Sequence, residues 1–543
     1  MTENRFKANC DAFKHVNPYL ADIIINLKNT DNSCYSAPVT AKNGDLVPAL
    51  KDGKPLFSVY NPIRDADNFL KDINFSEKQF IAVSSLANAI HFKNALESPN
   101  IHIMAIEKNA ESIATLFEQF DFTDILQKKN FTLCCIKNLE ESFRNSYIPQ
   151  LNGNFSHTSL RPWVQFNSDE EAEIQAILRK CISNISADYS VQAHFAKVWQ
   201  RNILRNLRTL SKLNSQNSKF PLNKIASIIG AGPSLDGCIS FLKDNRESRY
   251  IIATDTAWRI LLQNGITADA VVTIDGQNIS YRHFIDKFPD NKTLFVADLC
   301  SHPLVAEKAH KNGNNVQFFA SNHPLCLFAK QYAEEHKLYF PPEIDTKSGT
   351  VTVAALDFAV KCGFKEIELF GADFAYTHSK AYAKGSYLDP TFENDSTTIN
   401  SKETTFNALM FRTPVIRKDK STVTTEVLER YAGALNDYLK SCKSNLKVCR
   451  YSDEGLVTIF ENNTFHQGEN VPIFLPKTLY KSFNYADFIV RLLDSLKNHD
   501  SSLTAAVLPL AAWCERTGIY KSSSNSIESI FDYAYKMAKK QTM

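Results

Sequence analysis

From residue 80 onward, short apolar runs alternate with amphipathic stretches. In the first third the runs fall at 80–83, 101–106 and 131–136, with helical periodicity at 87–96 and 111–120 between them. Apolar runs of this length bounded by polar turns read as buried strands, and their alternation with helices predicts a βαβαβ unit on a parallel sheet. A second set lies at 225–229, 250–254, 270–274, 293–297, 316–320 and 366–370, again with helical patterns between most of them. This set predicts a doubly wound sheet. Ser168 with Glu171 has capping-box spacing and opens a helical region to about Leu213, followed by a polar linker at 214–219. Residues 385–425 are rich in Ser, Thr, Asn and Lys, and are expected to form a long irregular lid beside the second sheet. A helix at 425–442 and a short strand at 448–451 follow. The stretch 487–540 reads as helical, interrupted at Pro509 and at a serine-rich turn at 521–526.

The fold class expected is α/β and multi-domain: a central doubly wound Rossmann-like domain, a degenerate N-terminal Rossmann-like domain and a helical C-terminal region. The boundaries expected are 1–213, 222–460 and 461–543, consistent with a chain of 543 residues at roughly 150 residues per domain. Glu107 closes the second N-terminal strand, where a dinucleotide-binding unit places an acid for ribose hydroxyls. The first turn, 84–88, contains no glycine, so close approach of a phosphate is not expected there.

Composition narrows the function. Basic and acidic residues number 61 and 59, and this near balance argues against nucleic acid as the main partner. The N-terminus has no apolar leader and no run approaches a membrane span, so a soluble, cytoplasmic protein is expected. The 12 cysteines include no C-x-x-C pair and the 13 histidines no metal spacing, so no metal site is expected.

The strongest motif is Ile-Gly-Ala-Gly-Pro-Ser-Leu-Asp at 229–236, directly after an apolar run. Strand, tight turn and helix N-terminus in that order present backbone N–H groups and a positive helix end to an anion. The other strand ends are also polar: Thr254, Asp255 and Thr256 after the second, Asp275 and Gly276 after the third, Asp298 after the fourth, Gly371 and Asp373 after the sixth. Ser348, Gly349 and Thr350 form a second small-residue turn before a buried helix. In a doubly wound sheet these carboxyl ends are where ligands bind. Gly230, Ala231, Gly232, Pro233, Ser234, Thr254, Asp255, Asp275, Gly276, Ser348, Gly349, Thr350 and Gly371 are therefore the expected nucleotide-binding positions. Tyr376, His378, Lys380 and Tyr382 follow the sixth strand, and such donors can stabilise charge on a departing phosphate oxygen.

This order of motifs, with Ala-Thr-Asp-Thr at 253–256, Val-Thr-Ile-Asp at 272–275 and Leu-Phe-Gly-Ala-Asp-Phe-Ala-Tyr at 369–376, resembles the motility accessory factor family with its MptE-like central domain. Phe-Ser-Val-Tyr-Asn-Pro at 57–62 is similar to the opening of that family's N-terminal domain. The resemblance implies a flagellin glycosyltransferase that moves a pseudaminic or related nonulosonic acid onto Ser or Thr. The central motifs also resemble bacterial sialyltransferases that use a CMP-sugar donor. In that likeness Ala231 replaces an asparagine of the glycine turn, and Asp255 and Asp275 fall on two nucleotide-binding asparagines. Ser348, Gly349 and Gly371 match the turns that hold cytidine and ribose, and Tyr376 and Tyr382 match two phosphate-binding tyrosines. The catalytic histidine has its nearest counterpart in His378. The implied partners are a CMP-nonulosonic acid donor and flagellin as acceptor, with no obligatory cofactor. Asp373, His378 and Glu403 are the residues considered for the base. Two other readings stay open. One is a pyrophosphate transfer from ATP similar to 6-hydroxymethylpterin diphosphokinase, with Asp255, Asp275 and Asp373 on Mg²⁺; the other is a non-catalytic flagellin-binding chaperone.

Overall fold

Each buried apolar run becomes a strand because a two-sided parallel sheet offers it a dry face on either side. The structure, a computed structural model, describes residues 2–213, 220–284, 288, 292–346, 349–442, 446–456 and 481–541. The linker expected at 214–219 lies outside them. The described chain forms two compact units. The first comprises residues 1–196 and 507–533, the second 197–506 and 534–543.

The first unit holds a four-stranded parallel sheet of β1 (Gln79–Ser84), β2 (Ile101–Glu107), β3 (Phe131–Cys135) and β4 (Asn154–Ser159), in the order β3-β2-β1-β4. The helix expected at 87–96 is replaced by a strained turn and a single turn of helix, Ile90–Lys93. Ser85, Ala87 and Ala89 all have positive φ, of 89°, 47° and 62°. Glu107 explains this, because its buried carboxylate accepts hydrogen bonds from the Leu86 N–H (2.6 Å) and the Tyr35 hydroxyl (2.8 Å), bending the turn around it. Burial pushes the Glu107 carboxyl up to about 7. The acid expected to meet ribose is thus bound by its own chain.

The 43-residue helix α1 (Ser168–Leu210) starts at the expected Ser168. In the second unit, seven parallel strands follow: β5 (Ile225–Ile229), β6 (Arg249–Thr254), β7 (Ala270–Thr273), β8 (Leu294–Asp298), β9 (Val316–Phe319), β10 (Glu366–Phe370) and β11 (Lys447–Arg450). Their order is β9-β8-β7-β6-β5-β10-β11, so the direction of winding reverses between β5 and β10. The strand expected at 448–451 is β11, the far edge of this same sheet. Helices α2 (Leu235–Asp244), α3 (Asp255–Gln263), α4 (Val351–Lys361) and α5 (Glu426–Ser441) belong to this unit. Nearly every residue of α4 is buried, including Asp357, whose carboxylate accepts from Lys361 (2.7 Å), the Tyr438 hydroxyl (2.7 Å) and the Asp345 N–H (2.6 Å). Arg249 of β6 reaches across β5 to grip Glu368 of β10 with two hydrogen bonds of 2.9 and 3.0 Å.

Two further expectations change. Residues 385–425 are not irregular: they contain the helices Leu388–Asn394 and Lys402–Met410 and the strands Ile416–Arg417 and Thr422–Thr424. Pro509 does not interrupt its segment but lies inside the helix Thr504–Arg516. Burial of Val507, Leu510, Ala511 and Cys514 there outweighs the loss of one backbone bond, about 3 kcal/mol. Among the described residues no helix is long and apolar enough to cross a membrane.

Candidate functional site

The reversal point between β5 and β10 is built from glycines because two backbone turns touch there. The Gly230 N–H donates to Phe370 O and the Gly232 N–H to Gly371 O, both at 2.8 Å. A Cβ on Gly230 would stand 2.5 Å from Gly371 O, and one on Gly371 would stand 2.5 Å from Gly230 O. Gly371 also has a φ of +59°, which a side chain would strain. At the N-terminus of α2, Ser234 donates its N–H (2.8 Å) and its hydroxyl (2.5 Å) to the two carboxylate oxygens of Asp373. Arg450 lies 3.9 Å from the same carboxylate. Burial raises the Asp373 carboxyl, against the lowering pull of Ser234 and Arg450. The anion expected at this helix end is, in the free chain, a side chain of the protein. Ala231 and Pro233 complete the turn, and Ala231 O accepts from the Ala383 N–H at 3.0 Å.

That bond ties the turn to the segment after β10. Asp236 of α2 adds to it by accepting from Lys380 Nζ and from the Lys384 N–H, each at 2.8 Å. The segment thereby carries Tyr376, Tyr382 and Tyr387; Arg412 acts electrostatically on all three phenols, and the other two phenols act on Tyr382. Burial, followed by the neighbouring Tyr387 and Tyr376, pushes the Tyr382 phenol up to about 12. Tyr376 and Tyr387 are raised by burial as well. All three are therefore O–H donors at neutral pH.

Facing these phenols are the ends of β6 and β7. Thr254 caps α3 and donates to Ile229 O at 3.1 Å. Asp255 is buried and accepts from the Thr256 N–H (2.8 Å), the Thr256 hydroxyl (3.1 Å) and the Thr273 hydroxyl (3.0 Å). Desolvation raises its carboxyl, while His283 pulls it back down. Desolvation lowers the His283 imidazole against the attraction of Asp255 and Asp275, so the ring is neutral at pH 7. The His283 ring packs edge-on against Tyr387 with centroids 4.3 Å apart, and its buried Nδ1 has no hydrogen-bond partner among the described residues. Asp275 accepts from the Gln277 N–H at 2.9 Å. Gly276 is pressed against Cys300 O, with Asn202 of α1 donating to both carbonyls at 3.0 Å.

The remaining expected residues make other contacts. His378 is exposed, has a φ of 51° and meets Glu454 at 3.3 Å. Glu403 is exposed in the first turn of the helix Lys402–Met410. Gly349, with a φ of +73°, has Tyr431 beside it, and Thr350 caps α4. Ser348 lies outside the described residues. Sequence reasoning missed Arg282, His283, Tyr387 and Arg412. The available signals were a histidine eight residues after Asp275 and a third tyrosine five after Tyr382, the latter within the segment expected to form the lid.

Residues 201–379 match the family model described as 6-hydroxymethylpterin diphosphokinase MptE-like. An uncharacterized protein of Treponema pallidum (strain Nichols) is 36% identical over 140 residues, 26% of this chain and 67% of that protein. A second from the same organism is 36% identical over 153 residues, 27% of this chain and 52% of its own length. The structure described as a MAf glycosyltransferase from Magnetospirillum magneticum AMB-1 matches with a TM-score of 0.59 and 15% identity, covering 100% of this chain and 90% of that one.

Proposed function

We propose that this chain, which belongs to one family with the first of those Treponema proteins and shares the Maf fold, is a glycosyltransferase acting in the cytoplasm. It moves a nonulosonic acid from a CMP-activated donor to Ser or Thr of flagellin. The observation that carries this reading is the gathering of Tyr376, Tyr382, Tyr387 and Arg412 opposite Asp255 and His283 at the reversal point of the sheet. Ligands of doubly wound sheets bind in that crevice.

The chemistry follows from the protonation states. Transfer breaks the bond between the anomeric carbon and the phosphate oxygen, leaving negative charge on the phosphate. Phenols held protonated by burial donate to that oxygen, and the Arg412 guanidinium adds a fixed positive charge. The acceptor hydroxyl must lose a proton as it attacks. His283 is neutral, has a ring nitrogen without a partner among the described residues and is accompanied by the Asp255 carboxylate, the requirements of a general base. Asp373, committed to Ser234, and the exposed His378 and Glu403 meet fewer of them. A thermal-shift screen of CMP, UDP, GDP and ATP with and without Mg²⁺ tests the reading. CMP alone should stabilise the chain, and a response to ATP with Mg²⁺ only would refute it.

The description of the matching family model favours a second reading, pyrophosphate transfer from ATP. Asp255 and Asp275, the second close enough to raise the carboxyl of the first, would then serve the metal. Asp373 would first have to release Ser234.

A further inference from the structure

Away from the candidate site, the second unit contains a cavity of about 470 Å³ lined by Arg205, Arg208, Lys212, Lys311 and Lys540, with Glu307 as the one acid among its described lining residues and His310 beside them. Arg205 and Arg208, three residues apart, share one face at the end of α1, and Lys212 follows two residues beyond its last residue, Leu210. Glu307, His310 and Lys311 come from the helix Pro303–Lys311. Glu307 is already paired with Arg205 at 2.9 Å. Cations in the last turn of a helix are partly explained by its dipole, but each dipole supplies only about half a charge. Two helix ends and one carboxylate therefore leave a clear excess of positive charge around one cavity. The chain as a whole carries only +2, so this is not an average property of a basic protein.

A second observation points inward. The hydroxyl of Tyr485, which lines the cavity, is buried and has no hydrogen-bond partner among the described residues, and Arg208 is the charge that acts on it. Like charges around a cavity repel, and a buried hydroxyl left without a partner is destabilising. Both are relieved by one kind of guest. We infer that this cavity binds an anion carrying at least two phosphate charges, held by the Arg208, Lys212, Lys311 and Lys540 side chains and by the Tyr485 hydroxyl. Its volume is within the range of small-molecule sites. The phosphate is either free or the headgroup of a lipid.

The test is isothermal titration calorimetry of the full chain with inorganic pyrophosphate, at low and high salt. Saturable binding that weakens with salt is expected. It should weaken at least tenfold in an Arg208→Gln/Lys311→Gln variant, and several-fold in Tyr485→Phe, whose melting temperature should not fall. A control Lys440→Gln/Lys447→Gln variant should bind like the parent. Sedimentation with phosphatidylglycerol vesicles separates the sources. Vesicle binding lost in the double variant and competed by pyrophosphate identifies a lipid headgroup; pyrophosphate binding without vesicle binding identifies a free ligand. Equal pyrophosphate affinity in the site and control variants, or no saturable binding at all, overturns the inference.

Discussion

Ser234 gives both its backbone N–H and its hydroxyl to the carboxylate of Asp373, a residue 139 positions later in the chain. The pair closes the positive end of α2 with an internal anion at the point where β5 and β10 part. A ligand phosphate approaching this turn therefore meets a helix end already in use.

Replacing Asp373 by Asn keeps the volume but removes the charge that Ser234 and Arg450 face. Loss of a buried charge-assisted interaction should cost about 1–3 kcal/mol. Urea unfolding should show a lower midpoint with an unchanged slope.

Gly232→Ala tests the close approach. Its Cβ would lie 2.6 Å from the Asp373 carboxylate and 2.7 Å from Gly371 O, so the turn must shift. A fall in melting temperature of several degrees is expected, as for other strained or overpacked sites. The thermal shift produced by CMP should shrink with it.

Tyr382→Phe and Tyr387→Phe each remove one donor from the proposed leaving-group site. Each should lower kcat by roughly 10²-fold or more with little change in melting temperature. A CMP-release assay at saturating donor separates this from a KM effect.

His283→Gln should lower kcat/KM by about 10²–10⁴-fold and flatten its acidic limb. Burial lowers the imidazole, so in the parent that limb lies below the ordinary histidine value near 6.5. A pH–rate profile that keeps its acidic limb in the variant would assign the base elsewhere.

Asp298 makes stability depend on pH. It is buried, accepts from the Cys300 N–H at 2.5 Å and is pushed up to about 7 by desolvation. Because the unfolded value is near 3.9, the native state holds the extra proton between these two values. The stability tied to that proton is full below about pH 4 and is lost as pH rises through about 7. Asp298→Asn, which cannot ionise, should gain stability relative to the parent between pH 5 and 8, measured by denaturant titration at each pH.

The alternation of apolar runs and amphipathic stretches was legible because strand and helix periods are local properties of the chain. So was the glycine turn at 230–232. The turn at 84–88 was not, because Glu107 and Tyr35 shape it from distant positions. Pro509 was read as a break because its local preference is clear, whereas the burial that overrides it comes from tertiary packing.

By itself, then, the sequence determined two parallel α/β sheets, the positions of their strands except β4 at Asn154–Ser159, and the polar carboxyl ends where a ligand is expected. The tertiary structure decided which groups meet there. It placed β10 beside β5, and that adjacency brought Asp373 to Ser234 and carried Tyr382 and Tyr387 towards Asp255 and His283. Such pairings join residues more than a hundred positions apart, and strand order, which no short-range pattern encodes, selects them.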